Sequence, residues 1–291
     1  MDPLGPAAAG LSAAGEDGPL PRVGRDGRLC LSFERRGDRT VLAHVASTAP
    51  LQVLAPLRLP DPAAVVSMLN PTGGVLGGDR LDIEIVAGPG AHACLITPSA
   101  TRVARTDGPM AEQAVRLGIE SGGCLEWLPD HTIPAAGSAF RQSLDVYLEP
   151  GARFIGVDGF AAGRVARGET WAFAWLESAI TVREGPRRLL HDRFALNPDG
   201  PWSSLGCAEN HPYFGSAIAV GPGNLAALAD GINAALRGLG VTGGAAPGPR
   251  GGVVARVLAP SAPCLIAALD AAAALARRAL LDLPPLPRRR L

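Results

Sequence analysis

The chain of 291 residues contains no lysine; all 27 of its basic side chains are arginine, matched by 27 acidic ones for a formal net charge of zero. A neutral chain has no global electrostatic reason to bind nucleic acid or an anionic membrane. Arginine-only usage beside abundant Ala, Gly and Pro reads as codon bias, which lowers the value of any single Arg as a clue. Aromatic content is only 4%, which weakens any reading as a sugar-binding cleft built on stacked rings. The five cysteines, Cys30, Cys94, Cys124, Cys207 and Cys264, are scattered and form no CxxC pair. That argues against a disulfide framework and fits a reducing cytosol. The N-terminal segment has no basic stretch followed by an apolar run, so it is not read as a signal peptide. The most apolar stretch, Cys264–Leu281, is interrupted by Asp270, Arg277 and Arg278, against a membrane span. A soluble cytoplasmic protein is expected. Catalytic signatures are missing too: no GxSxG, HExxH or Walker A is present. Gly73–Gly78 is glycine-rich but lacks the Lys-Ser/Thr ending and the following helix of a phosphate loop. No general acid–base pair stands out, and no spacing among the five histidines makes a structural zinc site.

What is present is a β pattern. Residues 1–21 read as a disordered arm. From 22 to 214, short alternating runs such as Leu81-Asp-Ile-Glu-Ile-Val86 are bounded by Gly and Pro turns. Four strand–turn–strand units recur around Gly90, Gly123, Gly151 and Gly185, spaced 33, 28 and 34 residues apart. Such a period predicts stacked units, and its irregularity predicts an imperfect β-helix-like stack over a closed propeller. Seven residues after each turn glycine stands Thr97, Asp130, Asp158 or Asp192. Stacking would bring these into one line; the alternative is that Asp and Thr are simply common where strands end. Asp130-His131 and His191-Asp192 point to opposite faces if extended, so neither is a ready chelate. His92 and Cys94 share one strand face, either as soft ligands or as core.

Residues 215–283 change character. They predict a small β-α-β-α lobe, with helices over Asn224–Leu239, closed by Gly240, and over Ser261–Leu281, capped by Ser261. A loop is expected over Val241–Gly252, and 284–291 (PPLPRRRL) reads as an extended tail. The expected class is therefore mainly β, an irregular β-helix-like stack with a small α/β lobe carrying two C-terminal helices. A solenoid with a row of carboxylates also admits a carbohydrate-active enzyme as an alternative.

Five segments in order carry a more specific signal. Leu69-Asn-Pro-Thr-Gly-Gly-Val-Leu-Gly-Gly-Asp-Arg-Leu81 resembles the NPPGGxxGGD signature of the urease accessory UreD (UreH) family. Leu95–Thr101, Leu125-Glu-Trp-Leu-Pro129, Gly163-Arg164 with Gly168-Glu169, and Leu189–Arg193 resemble further motifs of that family, over roughly residues 27–282. The resemblance implies a non-enzymatic maturation scaffold that binds UreF and, with it, recruits the GTPase UreG and the urease apoprotein to deliver nickel. It implies no tightly bound cofactor, only a nickel ion in transit, and a lining of that passage at Asp79, Thr101, Asp158 and Asp192. The chain departs from the family at Asp130-His131, where Gln-Glu or Gln-Asp is usual, and at the tail, where PRIW is absent.

Overall fold

The computed structural model describes residues 25–286; the expected arm at 1–21 and most of the expected tail lie outside these. Two large sheets face each other. The first contains β1 (Asp26–Arg36), β2 (Arg39–Thr48), β5 (Arg80–Ala87), β8 (Ala111–Ile119), β11 (Ala139–Leu148), β13 (Trp175–Glu184) and β14 (Arg187–Leu196), in the order β14-β13-β11-β8-β5-β1-β2. The second contains β3 (Gln52–Val53), β4 (Ala64–Leu69), β6 (His92–Ile96), β9 (Cys124–Leu128), β12 (Arg153–Ala161), β15 (Tyr213–Val220), β16 (Thr242–Pro247) and β17 (Val253–Ala259), in the order β16-β17-β15-β12-β9-β6-β4-β3. Two short strands, β7 (Thr101–Val103) and β10 (Thr132–Pro134), pair with one another and, through Thr132, with β12.

The stack is a solenoid because each coil runs from the first sheet through a tight turn into the second, and successive coils pair in parallel. β5, β8 and β11 are parallel neighbours in one sheet, as are β6, β9 and β12 in the other. The turns stack as well: Gly90 N donates to Ser121 O at 3.0 Å, and Arg153 N to Gly123 O at 2.9 Å. In the second turn, Gly122 takes the positive φ of 65°, not Gly123. Gly123 is required for a different reason, since a Cβ there would press on the Glu120 carbonyl oxygen at 2.9 Å. Strands of the first sheet alternate buried and open, as in β5, so its outer face meets solvent. β6 and β9 are buried at every residue, because both faces of the second sheet are covered. One face meets the first sheet across a core that includes Phe33, Phe140 and Phe154; the other meets the helices through Val65, Ile155 and Val157.

The fourth expected unit is not a coil. Gly185-Pro186 joins β13 and β14 as an antiparallel hairpin within the first sheet, with Glu184 opposite Arg187. A two-residue connection turns the chain back beside itself, whereas the longer Gly88–Gly90 turn carries it to the other sheet. Thr97 and Asp130 therefore stack, with Asp130 N donating to Thr97 Oγ1 at 2.8 Å, but Asp192 lies on the opposite sheet and comes near Asp158 instead.

Both expected helices are present. α1 (Leu225–Gly238) is capped by Asn224, which accepts from Ala227 N, and α2 (Ala262–Leu281) by Ser261, which accepts from Cys264 N. The expected loop at Val241–Gly252 instead contains strand β16. Gly243 permits this: a Cβ there would collide with the Arg256 carbonyl oxygen on β17. The expected division at 214/215 falls inside β15, which pairs with β12 over eight residues and so continues the solenoid sheet. The helices pack on that same sheet.

Candidate functional site

Two cavities lie between the sheets, and Asp158 belongs to the wall of both. The first, about 280 Å³, is bounded by the signature loop (Asn70, Gly73, Gly74) on one side and by Thr97, Thr101 and Asp130 on another. The loop is held by its own side chains. Asn70 Nδ2 donates to Gly74 O at 2.9 Å, and Thr72 Oγ1 donates to Asn70 Oδ1 at 2.6 Å. Gly74, at φ 143°, lies against the Arg102 carbonyl, and Val75 bridges to Val103, so the glycines let the loop press onto β7. The second cavity, about 390 Å³, is bounded by Asp158, Ser178 and Asp192 on the inner side and by Cys207, Gly243 and Arg256 further out.

Asp158 sits on β12, partly buried. Its carboxylate accepts from Gln142 Nε2 on β11 at 2.8 Å and from Ser178 Oγ on β13 at 2.7 Å. Gln142 and Ser178 are register partners in the first sheet, so adjacent strands of one sheet hold a carboxylate of the other. Burial raises the Asp158 carboxyl; the Ser178 and Gln142 hydrogen bonds oppose this and nearby Asp192 adds to it, bringing the value from 3.8 to about 6. Asp192, on β14, is ion-paired with Arg256 of β17. Its neighbour His191 points the other way and bonds Thr181 Oγ1 at 3.1 Å, as strand alternation dictates.

The structure thus brings Thr101 and Asp158 to one cavity and Asp158 and Asp192 to the other. Asp79 lines neither. It is 1% exposed, its Oδ2 accepts from Leu76 N at 2.8 Å, and its Oδ1 has no hydrogen-bond partner. Burial raises its carboxyl, against the Leu76 hydrogen bond. It closes the turn that leads the signature loop into β5. Asp130 and His131 do meet, in the connection between β9 and β10: His131 Nδ1 and Asp130 Oδ1 are 2.7 Å apart. Among the described residues, no group of three or more His, Cys, Asp and Glu side chains converges to hold a metal ion.

A second polar centre was only half legible in the sequence, which paired His92 with Cys94 but did not join them to Glu126 or Arg277. His92 and Cys94 on β6 lie beside Cys124 and Glu126 on β9, on the helix side of the second sheet. Glu126, fully buried, bonds His92 Nε2 at 2.7 Å and is ion-paired with Arg277 of α2, which is itself 1% exposed and also paired with Asp61. Burial pushes the Glu126 carboxyl up, but His92 and then Arg277 outweigh it and hold it below the ordinary carboxylate range. Burial, and then Glu126, push the Cys124 thiol up, so it is no nucleophile. The centre fastens α2 to the solenoid. Its signal in the sequence was an arginine inside an apolar helix and a glutamate inside an apolar strand.

No helix among the described residues is long and apolar enough to cross a membrane. A family profile described as "UreD urease accessory protein" matches residues 25–290. Proteins named urease accessory protein UreD are similar over most of the chain. That of Deinococcus radiodurans is 39% identical over 212 residues, 72% of this chain and 76% of its own. That of Haloarcula marismortui is 35% identical over 267 residues, 90% and 89%, and that of Alkalilimnicola ehrlichii 33% over 269 residues, 90% of each. These relatives are named as accessory proteins, in place of the carbohydrate-enzyme alternative. With its stacked coils, its glycine signature loop and this match over nearly its whole length, the chain belongs to the UreD family of urease accessory proteins.

Proposed function

We propose that this protein acts in the cytoplasm, without catalytic activity of its own, as a urease maturation factor that joins UreF, UreG and the urease apoprotein and passes nickel between the two sheets by way of Thr101, Asp158 and Asp192. The observation that carries the reading is the position of Asp158 in the walls of both cavities, which makes it the step between them. A relay must hold an ion well enough to admit it and weakly enough to release it. A carboxylate near pKa 6, clamped by two neutral donors, exchanges a proton for a cation near neutrality. No third His, Cys, Asp or Glu side chain converges with these carboxylates among the described residues, which favours release. Asp79 is assigned the turn and not the route.

The test is urease activation in cells or in a reconstituted mixture with UreF and UreG, using D158A, D192A and the double variant. Activation is expected to fall in each single variant and further in the double, while UreF still co-purifies. Full activation by the double variant sinks the passage and leaves a pure scaffold.

A further inference from the structure

We infer that Arg256 is a gate: its guanidinium is the built-in counter-ion of Asp192, which a divalent cation must displace to use the outer end of the second cavity. This deepens the passage reading and rests on it.

The geometry begins with register. Asp158 on β12 is opposite Ser216 on β15, Ser216 is opposite Arg256 on β17, and Arg256 is opposite Gly244 on β16. These residues form one row across the second sheet, ending at its edge. Arg256 leaves that row and crosses to the first sheet, where its Nη2 pairs with Asp192 Oδ1. Arg256 and Asp158 are two strand spacings apart, roughly 9–10 Å, so the guanidinium guards the outer carboxylate and leaves the inner one to Gln142 and Ser178. Exposure gives the direction. The Arg256 side chain is 66% exposed and that of Asp192 14%, so the cation stands on the solvent side of the carboxylate. The other lip of the mouth is Gly243 and Gly244, which present no side chain.

Chemistry supplies the consequence. A guanidinium at the mouth of a polar channel is an electrostatic barrier to cations. It also satisfies Asp192 at a place where that group would otherwise stand half-buried and unpaired. An arginine cannot lose its proton to make way, so it yields only by swinging out, which its long exposed stem allows. A partner surface offering a carboxylate to Arg256 would draw it off Asp192 and open the route. This ties ion movement to assembly.

The experiment is titration of Ni²⁺, as nickel sulfate, into the purified full chain, by calorimetry or against a metal indicator. The proteins are wild type, R256M, R256Q, R256K, D158N, D192N and R256M/D192N, each checked for native circular dichroism. A partly exposed ion pair of this kind is worth up to about 1 kcal/mol. R256M and R256Q should therefore bind Ni²⁺ about three- to fivefold more tightly than wild type. R256K should fall between wild type and R256M, and R256M/D192N should match D192N. A merely structural ion pair would lower the thermal midpoint and leave Ni²⁺ affinity alone. If D192N weakens binding while R256M and R256Q do not strengthen it, the gate is refuted and the passage stands. If neither D158N nor D192N alters Ni²⁺ affinity or urease activation, the passage reading fails and the gate falls with it.

Discussion

Replacing Asp158 by Asn should make the protein more stable and less useful, and the gain should depend on pH. Asp158 titrates at about 6 in the fold against 3.8 ordinarily. A carboxyl whose folded value is raised favours folding when protonated. That contribution is fully present below pH 3.8 and is lost as pH rises through about 6. By linkage the ionised carboxylate costs about 3 kcal/mol at pH 7.5, about 1.6 kcal/mol at pH 5 and about 0.5 kcal/mol at pH 4. An amide has no charge to desolvate. It can keep the bond from Gln142, and the Ser178 hydroxyl, which already accepts from Gln142 Nε2 at 3.1 Å, can rotate to accept from the new amide as well. Allowing about 1 kcal/mol at every pH for weaker hydrogen bonds, D158N should gain about 2 kcal/mol at pH 7.5 and nothing, or a loss of about 0.5 kcal/mol, at pH 4. Urea unfolding of the full chain, followed by tryptophan fluorescence between pH 4 and 8, reads this directly. Pairing the curves with urease activation completes the test, since a carboxylate kept at a cost in stability is a functional one. Destabilisation by D158N at pH 7.5, or a gain independent of pH, would refute the reasoning.

Further outcomes are expected elsewhere in the molecule. R277A leaves Glu126 buried without its guanidinium partner and should destabilise by about 3–5 kcal/mol in urea unfolding. E126Q should flatten the acid side of the stability profile, because Glu126, held low by His92 and Arg277, contributes above its unfolded value of about 4.5 and loses this as pH falls through its folded value. In the signature loop, G73A at φ 89° meets open space and should cost about 1–2 kcal/mol from backbone strain alone. G74A also collides with the Arg102 carbonyl and should lower the unfolding midpoint further. D79N keeps the bond to Leu76 N and should retain urease activation, whereas a loss comparable to that of D158A would return Asp79 to the route.

Periodicity revealed the stack because a solenoid repeats its local pattern: strand, positive-φ glycine, strand. It misplaced Asp192 for a local reason. The sequence around Gly185 has the same pattern as that around Gly90, and only the length of the turn separates a hairpin from a crossing to the other sheet. The caps at Asn224 and Ser261 were legible because an N-cap is satisfied within three residues. Strand β16 was not, because Gly243 and Gly244 gain their pairing only from β17.

The candidate site divides the same way. Motif and turn spacing singled out Asp158 and Asp192, but nothing in the order of residues says that Gln142 and Ser178 clamp the first or that Arg256 covers the second. Those partners lie 16, 20 and 64 residues away in the chain and belong to the facing sheet. By itself the sequence determined the coil, the caps, the glycine loop and the family, all of which rest on contacts within one turn or one repeat. The tertiary structure alone decided which carboxylates share a cavity, which is raised by burial and which is neutralised, because electrostatics depends on distance through space and on access to water, and neither follows from position along the chain.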